Sequence, residues 1–209
     1  MQKILTAVAL FAAALTAQAE NLYVGAGFGL SRVPNGADET SAGLISDFGG
    51  TASSTYSKSV ASLRIIGGYK LNENIAVEAG YTKTSKINIS SAGTDASNVS
   101  YTASGNVRFS GLDISALFRP SVASGYNNFF AKVGAHSYKV KGSSTFFIGS
   151  TDYSGSNSYS GTGPMFGVGY NWKLDKYLDL RLAINRINKI GGASDFNVTN
   201  FGIILIENY

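Results

Sequence analysis

Cysteine is absent from the chain, so neither a disulfide framework nor a thiolate metal site is available to it. Charge is scarce: Asp, Glu, Lys and Arg make up 14% of the 209 residues, against roughly 25% in ordinary soluble domains. Histidine occurs once and proline three times. No apolar run reaches the roughly 20 residues that a membrane helix needs, so a bundle of such helices is excluded. The abundant residues are 25 Gly, 12 Tyr and 12 Phe. This mixture is poor for helices and good for β-structure whose turns and tight faces need glycine.

The first stretch reads as an export signal. Met1-Gln2-Lys3 is a short basic start, Ile4–Leu15 is rich in Ala, Leu and Val, and Ala17-Gln18-Ala19 has the small-residue form of a cleavage site. The expected division is therefore a signal peptide over 1–19 and one domain over 20–209. Loss of Lys3 takes the formal net charge from +4 to +3, too little and too scattered to imply nucleic acid as a partner.

From Asn21 onward the hydrophobic pattern has period two, that of a strand whose two faces meet different surroundings. Leu22, Val24, Ala26, Phe28 and Leu30 alternate with Tyr23, Gly25, Gly27, Gly29 and Ser31. The same alternation recurs over Ser59–Lys70, Ile75–Thr82, Gly111–Phe118, Phe129–His136, Pro164–Trp172, Leu178–Asn185 and Thr199–Tyr209, which makes eight strands. Leu71–Asn74, Pro120–Asn127 and Lys173–Tyr177 are short turns after the second, fourth and sixth strands. Arg32–Lys58, Lys83–Asn106 and Lys141–Thr162, after the first, third and fifth, are long and rich in Ser, Thr, Gly and Asn. The seventh gap, Ile187–Asp195, lies on the long-loop side but is short. Long and short connections sorted to opposite ends of an even number of strands predict an all-β, eight-stranded antiparallel up-and-down transmembrane barrel, with short periplasmic turns and three long extracellular loops. Tyr23, Tyr69, Phe118, Phe129, Tyr170, Trp172, Tyr177 and Tyr209 gather at the short-turn end, as an interfacial aromatic girdle does.

Nearly the whole mature length resembles the small eight-stranded outer-membrane β-barrel proteins: the OmpA transmembrane domain, OmpX/Ail, and the neisserial NspA and opacity proteins. The residues carrying the likeness are Leu22–Leu30, Ile65–Thr82 with its Gly-Gly-Tyr-Lys-Leu-Asn-Glu-Asn hairpin, Gly163–Trp172 and Phe201–Tyr209. The resemblance implies a bacterial outer-membrane location. It also implies that Phe201, Ile203, Leu205 and Tyr209 form the segment engaged by the barrel-assembly machinery, although Glu207 stands where an apolar residue is usual.

With apolar faces toward lipid, the opposite faces place Arg64, Glu78, Asp113, Lys132, Asp179 and Arg181 in the lumen, three charges of each sign. An eight-stranded barrel is only wide enough for its own side chains, so these groups should meet as a closed ion-pair plug. A three-residue hairpin loop would set Glu78 opposite Ile66 and diagonal to Arg64. His136 and Ser137 must point to opposite faces, which leaves no nucleophile–base pair, and one His without Cys leaves no first-row metal site. No catalytic residue, cofactor or metal is expected. Lys83, Lys86, Arg108, Lys139 and Lys141 fall near the long-loop rim, where lipopolysaccharide phosphates would lie. Phe48, Phe146, Phe147 and Ile148 are apolar residues within polar loops: contacts for a host or environmental ligand, or parts of strands that continue above the membrane and pack loop on loop.

The first functional expectation is thus a non-enzymatic surface barrel of adhesin or opacity type. A small porin or channel for small or hydrophobic solutes is the alternative, followed by a lipid-modifying enzyme and a soluble lipocalin-like barrel. Against the last, the faces it would turn outward are mostly Gly, Ser and Ala.

Overall fold

The computed structural model describes residues 21–33, 36–120, 128–190 and 197–209, with the side chains of 36–40 and 43 outside the description. Residues 1–19, expected from the sequence to be a signal peptide, most of the Pro120–Asn127 turn and part of the Ile187–Asp195 connection lie outside it too. The elements are β1 (Leu22–Arg32), α1 (Gly36–Phe48), β2 (Thr51–Tyr56), β3 (Ser59–Lys70), β4 (Ile75–Thr84), β5 (Ile87–Thr94), β6 (Ser100–Phe118), β7 (Phe129–Ile148), β8 (Thr151–Lys173), β9 (Leu178–Ile187) and β10 (Val198–Asn208).

Eight of these strands close on themselves in the order β1, β3, β4, β6, β7, β8, β9, β10 and back to β1, every pair antiparallel. Alternation sorts the residues as expected. On β6 the side chains of Asp113, Ser115 and Leu117 are buried inside, while Leu112, Ile114 and Phe118 are 63%, 60% and 55% exposed outside. Such an apolar outer belt has no place in water and matches the lipid-facing band of a membrane barrel. The described residues contain no helix long and apolar enough to cross a membrane, so crossing is by strands.

Glycines let the wall bend where β1 meets β10. A Cβ on Gly27 would overlap the Ile203 carbonyl oxygen, and one on Gly29 the Phe201 carbonyl oxygen, so side chains larger than hydrogen do not fit at these two positions of the seam.

Above the belt the structure differs from the sequence expectation. The segments 83–106 and 141–162 are largely strand: β5 continues the line of β4, and β6, β7 and β8 run well past the apolar band. In the first long segment α1 and β2 occupy most of the chain, and Gly49, with φ +68°, donates its N–H to Ile45 O at 2.9 Å to end the helix. Ser, Thr and Gly read as loop because they carry no hydrophobic alternation. Strands with water on both faces need none.

Candidate functional site

Inside the wall the side chains form three tiers. At the short-turn end Tyr23, Ile66, Ala76, Leu117, Phe130, Ala183, Ile204 and Ile206 pack together. At the opposite end Val33, Val60, Ile87, Phe109, Tyr138, Met165, Ile187, Ile190 and Val198 fill the cross-section. Between them lies a buried charged tier. Arg64 grips Asp113 with two parallel bonds, NH1 to Oδ2 at 2.8 Å and NH2 to Oδ1 at 2.7 Å, and donates a third, from NH1, to Thr82 Oγ1 at 2.8 Å. Glu78 is the hub. Its Oε1 accepts from Lys132, its Oε2 from Arg181 NH1 and, at 3.2 Å, from Tyr23 OH, and Arg64 NH2 stands 3.7 Å from Oε1.

The charged and apolar tiers interlock. Arg181 sits between the Tyr23 and Phe130 rings, its guanidinium carbon 5.6 and 4.8 Å from their centroids, and its Nε donates to Asn171 Oδ1 at 2.8 Å. Tyr138 belongs to the upper tier and donates its hydroxyl to Asp113 Oδ2 at 3.3 Å. Asn200 donates to Ser31 Oγ at 2.9 Å and Ser62 Oγ at 2.7 Å, which closes the space beside them. Bidentate geometry and shared partners are what make ion pairs tolerable in a narrow, dry interior.

Five of the six charges named from the sequence thus meet. Asp179 does not: it is buried, but no ion pair of it within 4.0 Å occurs among the described residues, and its charge acts on Lys70 and Arg119 near the short-turn mouth. The hairpin register also differs. Glu78 faces Gly68, and Ile66 faces Gly80, because residues 71–74 between the strands are closed by a Leu71 N–H to Ile75 O bond. Tyr23 is 1% exposed and inside the barrel, not in the girdle: it shares the lumen face with Gly25 and Gly27, and the missing Cβ of Gly68 leaves room for its ring. The remaining girdle residues include Tyr69, Phe118, Phe129, Trp172, Tyr177 and Tyr209, all at least 40% exposed.

His136 is buried in the lumen wall, stacked on Tyr138 at 4.9 Å between centroids, with Nε2 against Asn188 O, while Ser137 faces outward. On the outer face above the belt, Lys86, Arg108, Lys139 and Lys141 line a depression of about 480 Å³ with Asn106, Ser143, Ser156 and Ser158. Lys83, paired with Ser110, is exposed beside it. None of these cations makes an ion pair within 4.0 Å among the described residues.

Phe48 of α1, Tyr101 of β6 and Phe146 of β7 form one aromatic stack, with centroid distances of 4.7 to 5.8 Å. Of the four loop residues singled out from the sequence, only Phe147, 45% exposed, is open to solvent; Phe48, Phe146 and Ile148 are half-buried. Sequence reasoning missed Tyr101, whose hydroxyl donates to Thr51 O at 3.0 Å, because nothing distinguishes an inward Tyr from an outward one where alternation is weak. Phe201, Ile203, Leu205 and Tyr209 line the outer face of β10 and the C-terminus, and Tyr209 donates its hydroxyl to Glu207 Oε2 at 3.2 Å.

The model of the OmpA-like transmembrane domain matches residues 17–207. The chain belongs to that family. As an OmpA-like transmembrane domain it is a bacterial outer-membrane barrel. Among solved structures it is similar to Ail of Yersinia pestis, at 14% identity, 91% of this chain, 99% of that one and a TM-score of 0.51. It is also similar to OprG of Pseudomonas aeruginosa, at 13% identity, 91% of this chain, 98% of that one and a TM-score of 0.45. The likeness to Ail concerns the fold. A search of curated proteins found no match.

Proposed function

We propose that this OmpA-like barrel is a non-enzymatic surface protein, whose lumen is closed and whose projecting hairpins contact ligands outside the cell. The observation that carries the reading is the filled interior: two apolar tiers enclose the tier centred on Glu78, with Arg181 and Tyr138 tying the tiers together. A solute path would have to break both apolar tiers and desolvate the ion pairs, which argues against the channel alternative. The purified protein in a planar bilayer is expected to stay silent, and neutralising Lys132 to leave it so. Ohmic conductance that Lys132→Gln alters would favour the channel. Replacing 88–105 and 143–160 by short turns should preserve the boiling-dependent gel shift and abolish any surface binding.

The basic depression supports a second element of the proposal. Arg108 lies four residues beyond Leu112 on the same face of β6, roughly 13 Å along the strand, at the height where outer-leaflet headgroups begin. Four cations there, with no ion pair among the described residues, suit a polyanion of phosphate or sulfate groups, such as the phosphates of lipopolysaccharide. One solved structure of Ail contains the heparin analogue sucrose octasulfate, a polyanion of this kind. Converting Lys86, Arg108, Lys139 and Lys141 to Gln is expected to lower lipopolysaccharide carried through purification several-fold; capture of sucrose octasulfate by the parent without any retained lipopolysaccharide would assign the depression to a free glycan. Residues 1–19 are read as the export signal, and Phe201, Ile203, Leu205 and Tyr209 as the segment the barrel-assembly machinery engages.

A further inference from the structure

Beyond the apolar tier at the short-turn end, the lumen opens through a ring of polar side chains. Strand parity assigns its members. Lys70 continues the inward row of Ile66 and Gly68 on β3, Arg119 that of Ser115 and Leu117 on β6, and Lys173 that of Gly169 and Asn171 on β8. Asp179 and Asn208 join from β9 and β10, with Asp179 opposite Lys173 in register and Lys70 Nζ donating to Asn208 Oδ1 at 2.8 Å.

This ring upsets the charge balance of the lumen. Arg64, Lys132 and Arg181 match Glu78, Asp113 and Asp179 in number, so Lys70, Arg119 and Lys173 remain as an excess of three positive charges. None of the three forms an ion pair within 4.0 Å among the described residues. The other acids at this end are engaged or turned away. Asp175 Oδ1 accepts the N–H of Tyr177 and of Leu178 within its own turn, Glu207 takes the Tyr209 hydroxyl on the outer face, and Glu73 is exposed on a turn. Residues 121–127, which lie outside the description, include no Asp or Glu.

Two arginines border the same space with donors left over. Arg181, 2% exposed, commits Nη1 to Glu78 and Nε to Asn171, while its Nη2 has no hydrogen-bond partner among the described residues. Arg119 is fixed by its backbone, N–H to Asn74 O at 2.7 Å and O from Asn74 Nδ2 at 2.9 Å, and its buried Nε is likewise without a partner among them. Burial first, and the like charge of Arg181 next, push the Arg119 guanidinium below the usual arginine range. Unmatched donors on buried charged groups are costly, and repulsion between two guanidiniums adds to the cost.

The geometry points to a binding site for a phosphate-class oxyanion at the short-turn mouth, held between the Arg119 and Arg181 guanidiniums and reached past Lys70 and Lys173. A tetrahedral oxyanion offers oxygens to two guanidinium forks at once, whereas one fork already fills a planar carboxylate. The anion would relieve the repulsion and satisfy both leftover donors. It would also tie β6 to β9 across the lumen floor. Binding needs no passage through the barrel, because the rings of Tyr23 and Phe130 close over Arg181 from the apolar tier. Both free phosphate and the phosphodiester of a lipid headgroup have this chemistry.

The test uses the full mature chain refolded in dodecyl maltoside, which contains no phosphate, with inorganic phosphate as the probe and chloride at matched ionic strength as the reference. Phosphate is expected to bind saturably, one per chain, in calorimetry and to raise the urea midpoint, with chloride doing neither. Arg119→Gln should weaken phosphate binding at least about tenfold in Kd, and Arg119→Lys, which keeps the charge without the fork, should recover only part. Without phosphate, Arg119→Gln is expected to unfold at the same urea concentration as the parent or a higher one, since it removes a repulsion; a purely structural arginine would give a lower midpoint. An equal phosphate response in the parent and Arg119→Gln, or an equal response to chloride, overturns the inference. Glu20, two residues before β1, is covered by Glu20→Gln: phosphate binding that appears only in this variant would give the site to the chain's own carboxylate and overturn the external anion. In phosphatidylglycerol nanodiscs, unchanged phosphate affinity supports the free ion, and lost affinity with the midpoint already raised supports the lipid headgroup.

Discussion

Replacing Glu78 by Ala is expected to destabilise the barrel by about 3–5 kcal/mol, read as a lower urea midpoint for the protein refolded in lipid. The magnitude follows from the arrangement. Glu78 accepts from Lys132, Arg181 and Tyr23, so its loss leaves Arg181 with no ion pair among the described residues and Lys132 with Asp113 alone, at 4.0 Å, whereas Arg64 keeps its bidentate bond to Asp113. Adding Lys132→Met should recover part of the loss, because an apolar side chain of similar length needs no counter-charge. Asp179→Asn is the internal comparison: with no ion pair within 4.0 Å among the described residues it should cost clearly less, and an equal cost would contradict the hub assignment. The Glu78 variant should remain silent in a bilayer, since both apolar tiers still cross the lumen and, of their described members, Tyr23 alone bonds to Glu78.

Gly27→Val is expected to abolish assembly of the heat-modifiable form almost entirely. A side chain at position 27 meets the backbone of β10, at the Ile203 carbonyl and the Ile204 Cα, and backbone atoms of a paired strand cannot rotate aside as a flexible side chain can. Since β1 and β10 join the two ends of the chain, any shift there opens the ring of strands, a larger penalty than the roughly 1–3 kcal/mol of ordinary overpacking. Gly67→Ala serves as the control, because a Cβ there meets nothing within 4 Å. A Gly27 variant that folds and shifts on boiling like the parent would contradict the close approach at the seam.

Much of the fold was legible in the residues because the membrane imposes a rule on each strand separately. A chain such as Leu112–Phe118, with lipid on one side and a packed lumen on the other, has to alternate whatever its neighbours are, so strand number, face and most lumen charges can be read locally. Tyr23 shows where this stops. Its position at a strand end allowed a girdle role, but its parity with Gly25 and the space over Gly68 put the ring on Glu78. The partners of the charges were also beyond a local reading: the two-residue shift between β3 and β4 and the distance of Asp179 from the hub depend on turn closure and barrel stagger.

The sequence by itself determined the class of protein, the eight strands, the belt and which charges face inward, because period-two alternation is enforced residue by residue by lipid and lumen. Only the tertiary structure decided that the Ser- and Gly-rich segments are strands, that Phe48 and Phe146 turn inward onto Tyr101, and that the upper part of β8 pairs, among the described residues, with β7 alone. Those features arise from hydrogen-bond pairing between distant segments in water. There neither face need be apolar, and the sequence carries no period to announce them.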